Sequence, residues 1–111
     1  MAPNKWEIWF VDMPYEDGIG SKVRPALVVD PGINAVLVGK MTSHPPRPNY
    51  PYEYQLIDWQ GAGLKVQTTL RLSKLVRLSP GSFKRKIGIM MPTDQVQVHN
   101  MLVAIMASGN H

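Results

Sequence analysis

The sequence predicts a mainly β fold, a small β-barrel with one C-terminal amphipathic helix, and three observations carry that prediction. Short runs of aromatic and β-branched residues are separated by Gly- and Pro-containing turns through most of the chain. The apolar period changes from two to about 3.6 only after Thr93. At 111 residues the chain suits one hydrophobic core, so residues 1–111 are expected to form a single domain.

Trp6-Glu7-Ile8-Trp9-Phe10-Val11-Asp12 reads as the first strand, with Trp6, Ile8 and Phe10 on one face and Glu7, Trp9 and Val11 on the other. Met13-Pro14 ends it, and Tyr15 to Ser21 is a polar, Gly-containing connection. Ala26 to Val29 is the second strand, stopped by the turn Asp30-Pro31-Gly32. Ala35-Val36-Leu37-Val38 opens a third, which runs through Gly39-Lys40-Met41 to Thr42-Ser43. Four prolines between His44 and Pro51 exclude a helix or a central strand, so this stretch is expected to project as a stiff loop carrying Arg47 beside Tyr50. Tyr52 to Ile57 follows as a fourth strand, and Asp58 to Gly63 as a wide turn holding Trp59.

Leu64, Val66, Thr68, Leu70 and Leu72 alternate with Lys65, Gln67, Thr69 and Arg71, which predicts a fifth strand with a basic, polar outer face. Leu75 to Leu78 and Phe83 to Met90 are further strands on either side of Ser79-Pro80-Gly81. Thr93 is the expected N-cap of the closing helix, with Asp94 in the first turn complementing the helix dipole. Val98, Met101, Leu102, Ile105 and Met106 form one apolar stripe, and His99 falls one position off it, as a surface residue would. Together these elements describe a barrel of SH3-like size.

Composition removes several function classes. There is no cysteine, hence no disulfide framework and no thiolate metal site. His44, His99 and His111 are widely spaced and make no zinc-binding pattern, so a mechanism without metal or cofactor is expected. No hydrophobic run approaches the roughly 20 residues of a membrane-spanning helix, and Met1 to Lys5 lead straight into a strand without a signal-peptide core. A soluble cytoplasmic protein with no membrane partner is the expectation. The formal charge of +4 is unevenly placed: Lys65, Arg71, Lys74, Arg77, Lys84, Arg85 and Lys86 lie between Trp59 and Thr93 with no acidic residue among them. Such a segment suits a polyanion or an acidic protein partner, and equally an ordinary solvated face.

Lys22-Val23-Arg24-Pro25 joins the polar loop to the apolar run that follows. Proline pushes the preceding residue into an extended conformation, which aims the Arg24 guanidinium in a defined direction at the expected mouth of a strand. Two readings fit: an anion site, or a structural ion pair with Glu16 or Asp17.

Laid out in order, EIWFVDMP, GIGSKVRPALVV, a third strand ending in MTS, the HPPRPN loop, DWQGAGL, TTLRLSKLVRL and RKIGIM before a final helix resemble the MazF/PemK-type toxins, the ribonuclease halves of bacterial type II toxin-antitoxin pairs. The resemblance implies a CcdB/MazF-like, SH3-like barrel that forms a homodimer and cleaves single-stranded RNA without a metal. It also implies inhibition by a cognate antitoxin, through which any contact with DNA would be indirect. The family's Arg-Pro arginine falls on Arg24, its Thr/Ser at the end of the third strand on Thr42 followed by Ser43, and its later Ser on Thr68. Some members carry a Glu about five positions before that arginine, and here Ile19 stands there.

The chemistry implied is attack of a 2′-OH on its own phosphate, which needs stabilisation of a more negative phosphorane and movement of two protons. Arg24 offers a permanent bidentate donor, and Thr42 a hydroxyl able to hold a phosphate oxygen, although a threonine also simply pairs in a sheet. These two are the expected catalytic residues. Histidine is a residue type suited to act as a base, and His44 stands two residues past Thr42. Lys22, Ser43, His44, Arg47, Trp59, Thr68 and Arg71 are the expected substrate contacts, with core packing an equal role for Trp59. Two other classes share this outline: a non-enzymatic CcdB-like gyrase poison, whose Trp-Gly-Ile ending is absent from Met106-Ala107-Ser108-Gly109-Asn110-His111, and an SH3-like module that binds RNA or protein without turnover.

Overall fold

The computed structural model describes residues 2–108; His111, the third of the histidines considered above, lies outside the described residues. Six strands and a helix follow one another as β1 (Glu7–Pro14), β2 (Ser21–Pro31), β3 (Val36–Thr42), β4 (Glu53–Gln55), β5 (Thr69–Leu78), β6 (Phe83–Ile89) and α1 (Pro92–Ser108). The strands form one antiparallel sheet in the order β4-β5-β3-β2-β1-β6. The mainly β class with a closing helix is as the sequence predicts. The ladder itself does not close into a barrel, because β4 and β6 each pair on one side only.

Both faces of the sheet are buried, which is why the central strands read as continuous apolar runs. One face packs Ile8, Leu27, Met41, Leu70 and Leu72 against Val98 of α1, with Met101, Leu102 and Ile105 alongside. The other collects Trp9, Val11, Met13, Ala26, Val28, Val36 and Val38. Phe83 of β6 meets Trp9 there edge-on, ring centroids 5.8 Å apart.

Several expectations change, among them the N-cap, since α1 starts at Pro92 and Thr93 lies inside it. The second strand is Ser21–Pro31, not Ala26–Val29. Arg24 therefore sits inside the β1–β2 ladder, opposite Val11, instead of at a strand mouth. Leu64 to Thr68 alternates but is not strand, and the expected break between Leu72 and Leu75 is absent, since β5 runs unbroken from Thr69 to Leu78. A bulge explains both sides of that break: Lys40 pairs with Arg71 while Gly39 pairs with Leu75, leaving Leu72 to Lys74 without register partners on β3. The fourth strand shrinks to Glu53–Gln55.

Asp94 does more than complement a dipole. It is fully buried and accepts hydrogen bonds from the Ile57 and Asp58 backbone N–H groups, each at 2.9 Å, and from the Tyr54 hydroxyl. Burial and the neighbouring carboxylate push the Tyr54 hydroxyl well above the usual tyrosine range. The start of α1 is thereby bracketed to β4 and the segment after it. Among the described residues no helix is long and apolar enough to cross a membrane.

The Gln60 to Leu64 turn lies directly on β6. A Cβ on Gly88 would stand 2.1 Å from the Ala62 carbonyl oxygen, and Gly63 adopts φ +92° with its own Cβ position 2.7 Å from the Ile87 carbonyl oxygen. Only glycines permit that approach. It sets one wall of the site described next.

Candidate functional site

A cleft of about 480 Å³ opens where the middle of β2 and the end of β3 meet the 63–68 segment and β6. Arg24 and Pro25 come from β2, Met41, Thr42 and Ser43 from the end of β3, and Phe10 from β1. Gly63 to Val66, Thr68 and Arg85 to Ile87 complete the lining.

Arg24 owes its placement to its neighbour. Pro25 stands opposite Phe10, and Ala26 stands opposite Lys40 as the last β2–β3 pair at this end; Arg24 and Thr42 each lie two residues further along their strands, and both line the cleft. The side chain is exposed, and among the described residues no carboxylate lies within ion-pair distance of it. The ion-pair reading of Arg24 is excluded on geometry, because Glu16 engages Lys74 at 3.1 Å and Asp17 accepts from the Ile19 N–H at 2.9 Å.

Thr42 is half-buried, and its Oγ1 accepts the His44 backbone N–H at 3.3 Å. A hydroxyl has one proton to give and two lone pairs to receive, so that contact leaves the proton free for an anion in the cleft. Thr69 faces Thr42 across the β3–β5 ladder and buries a hydroxyl oxygen with no partner among the described residues. Thr68 is 3 % exposed, and its hydroxyl donates to the Val66 carbonyl oxygen at 2.9 Å. Its proton holds the wall together and is not available to a ligand.

No Asp or Glu lines the cleft among the described residues, whereas Arg24, Lys65, Arg85 and Lys86 do. Lys86 is the exception to their freedom, pairing with Glu7 at 3.0 Å. Burial pushes the Glu7 carboxyl up, but donation from the Asn4 N–H, the Trp9 indole N–H and Lys86 outweighs it and holds the group below the usual range. Arg85 lies over the Phe10 ring at 5.2 Å. The result is a groove with a cationic, hydroxyl-bearing end and apolar walls, suited to an anion attached to a flat apolar group.

Of the residues expected to act, Arg24, Thr42, Ser43 and Thr68 come together in this cleft, and Lys22, His44, Arg47, Trp59 and Arg71 lie outside its lining. Lys22 is exposed opposite Met13, and His44 is exposed beyond the end of β3. Trp59 is half-buried against the core cluster under α1. Arg47 and Arg71 converge on Glu53, whose side chain is 1 % exposed. Arg47 gives Glu53 its backbone N–H at 2.8 Å and its Nε and terminal nitrogen at 3.1 and 2.6 Å, and stacks 3.5 Å over Tyr50. The Arg71 Nε lies 3.4 Å from the same carboxylate, within ion-pair reach but without hydrogen-bond geometry. Phe10, Lys65, Arg85 and Lys86 were not singled out by residue type as site members. The acid-free basic segment was the signal for three of them.

A family model described as PemK-like, MazF-like toxin of type II toxin-antitoxin system matches residues 4–106. No curated protein matches the chain. Among solved structures, the chain is similar to a mycobacterial endoribonuclease in complex with its cognate antitoxin, at 16 % identity and a TM-score of 0.73 over 99 % of this chain and 98 % of that one. It is similar to the Mycobacterium tuberculosis toxin MazF-mt6 at 14 % identity and a TM-score of 0.71, covering 91 % and 96 % of the two chains. The MazE-MazF structure from Deinococcus radiodurans matches at 18 % identity and a TM-score of 0.65 over 96 % of each chain. At such identities the structures establish a shared fold.

Proposed function

The chain belongs to the PemK-like, MazF-like family of type II toxins, and from that premise we propose that it is an endoribonuclease, a single toxin domain that cleaves single-stranded RNA in the Arg24–Thr42 cleft without a metal. The observation that carries the reading is an arginine without a carboxylate partner and a threonine hydroxyl lining one groove, which has no acidic lining residue among those described.

The 2′-hydroxyl loses its proton to solvent water as its oxygen attacks the adjacent phosphorus, the bond from phosphorus to the 5′-oxygen breaks, and that oxygen takes up a proton from solvent, giving a cyclic phosphate and a 5′-hydroxyl. Charge grows on the non-bridging oxygens along that path. Arg24 meets it with two parallel N–H donors, and the free proton of Thr42 holds a third direction. No described lining residue is a histidine or carboxylate, so the rate enhancement rests on charge stabilisation and alignment more than on a tuned acid-base pair. Arg24 also stands as a hydrogen-bond donor to the departing 5′-oxygen, keeping its own proton.

The protein works as a cytoplasmic homodimer, and its block is a cognate antitoxin whose acidic segment occupies the same groove, its carboxylates standing in for phosphates. Lys65 and Arg85 on the groove wall support that partner, as does the antitoxin complex of the similar mycobacterial protein. DNA is reached only through the antitoxin.

The deciding experiment incubates purified protein with a long unstructured RNA in EDTA. Discrete cleavage is expected, and an intact substrate would leave a gyrase poison or a simple binding module. RNA and an acidic antitoxin peptide are expected to compete, more sharply at low salt. Simultaneous binding, with neither weakening the other, would move the antitoxin elsewhere.

A further inference from the structure

A second basic cluster lies outside the cleft. Lys40 and Arg71 are direct cross-strand partners, and Lys74 sits on the β5 bulge beside them. Like charges facing one another across a ladder are destabilising, and bulges re-aim side chains. Here the bulge turns Lys74 toward Glu16 of the β1–β2 loop, 3.1 Å away. Lys40, Lys74 and Glu16 share a pocket of about 360 Å³. With Arg47 and Arg71 gathered on Glu53, four cations face two carboxylates, so positive charge is in excess.

The two carboxylates are unlike. Glu53 is buried, whereas the Glu16 side chain is 67 % exposed, on a loop that turns through Gly18 and Gly20 at positive φ. Lys74 and Lys40 hold the Glu16 carboxyl below its usual range, so it remains an anion there.

The position ties this cluster to the cleft. Lys40 is two residues from Thr42 on β3, and Arg71 is two residues from Thr69, which pairs with Thr42. That is a step of about 6.7 Å along a strand, the scale of one nucleotide in an extended chain.

We propose that Lys40, Arg71 and Lys74 form a backbone-phosphate subsite for single-stranded RNA running on from the cleft, and that Glu16 fills this subsite in the free protein and is displaced by the RNA. The inference rests on the ribonuclease reading and extends it to how substrate beyond the scissile phosphate is held. An acidic peptide would also find cations here, but the ladder's continuity with Thr42 favours the strand that enters the cleft.

The test measures binding of uncleavable 2′-O-methyl RNA, short (about 4 nucleotides) and long (about 16), over a range of salt. The double substitution Lys40→Gln with Lys74→Gln is expected to weaken the long ligand about tenfold, to flatten its salt slope by about 0.7 per lost contact, and to leave the short one unchanged. Glu16→Gln is expected to tighten the long ligand. Equal effects on both lengths, an unaltered slope, or weakened binding of a polyglutamate peptide with RNA untouched would each overturn the subsite. Wild type that neither binds nor cleaves RNA overturns the ribonuclease reading itself; wild type that cleaves while the slope stays put overturns only the subsite.

Discussion

Two Arg-Pro dipeptides occur in this chain, Arg24-Pro25 and Arg47-Pro48, and the fold treats them in opposite ways. Both prolines restrict the arginine before them. Arg47 is closed onto a buried carboxylate and a tyrosine ring, and it fastens a loop. Arg24 has no carboxylate within reach among the described residues and faces a cleft. The dipeptide therefore supplies direction, and the surrounding charge decides whether that direction is structural or chemical. Glu53, six residues beyond Arg47, is what the first arginine lacks.

Arg24→Ala is expected to abolish RNA cleavage while leaving the fold intact, a loss of about 3 kcal/mol or more of transition-state stabilisation. Arg24→Lys fails largely too, because a point charge does not replace a planar fork. Retention of activity within a few-fold of wild type would erase the contrast between the two arginines. Thr42→Val, nearly isosteric, lowers turnover by roughly ten- to a thousandfold, as loss of one positioned donor does; a fall in melting temperature with turnover intact would place Thr42 with the structural residues.

On the other side of the comparison, Glu53→Gln releases Arg47 and lowers the melting temperature by about 5 °C, while kcat on a minimal RNA changes less than for either cleft variant. The smallest effect is on pH. Hydrogen bonding from Arg47 holds the Glu53 carboxyl below its ordinary 4.5. A depressed folded-state value means that this stabilisation is complete above pH 4.5 and drains away as acid brings the pH down through the folded value. The melting temperature of wild type should then fall more steeply below pH 4.5 than that of Glu53→Gln. Parallel curves would show that the pair adds nothing to stability.

Much of this was legible from residue order. β1, β3, β6 and α1 followed from alternation and period because packing acts on the same faces that the pattern displays. Arg24, Thr42, Ser43 and Thr68 were gathered by motif order and do share one cleft. What could not be read depended on partners distant in the chain. The reach of β2 back to Ser21 is set by pairing with β1, against the local evidence of a polar loop and a proline. The alternation of Leu64 to Thr68 is real but serves a wall held by glycine contacts with β6. Arg47 and Arg71 look like free cations until Glu53 is placed between them, and residue type alone does not reveal that meeting.

The Asp94 bracket also bears on motion. Its three acceptor contacts join the first turn of α1 to Tyr54, Ile57 and Asp58, and the turn that follows is seated on Gly88 of β6. Undocking the helix would strip two backbone amides of their acceptor and loosen the turn whose far end walls the cleft. Amide exchange at Ile57 and Asp58 should therefore keep pace with exchange in α1, as in one cooperative opening unit. A ligand that grips the 63–66 wall would then slow exchange in a helix it never touches.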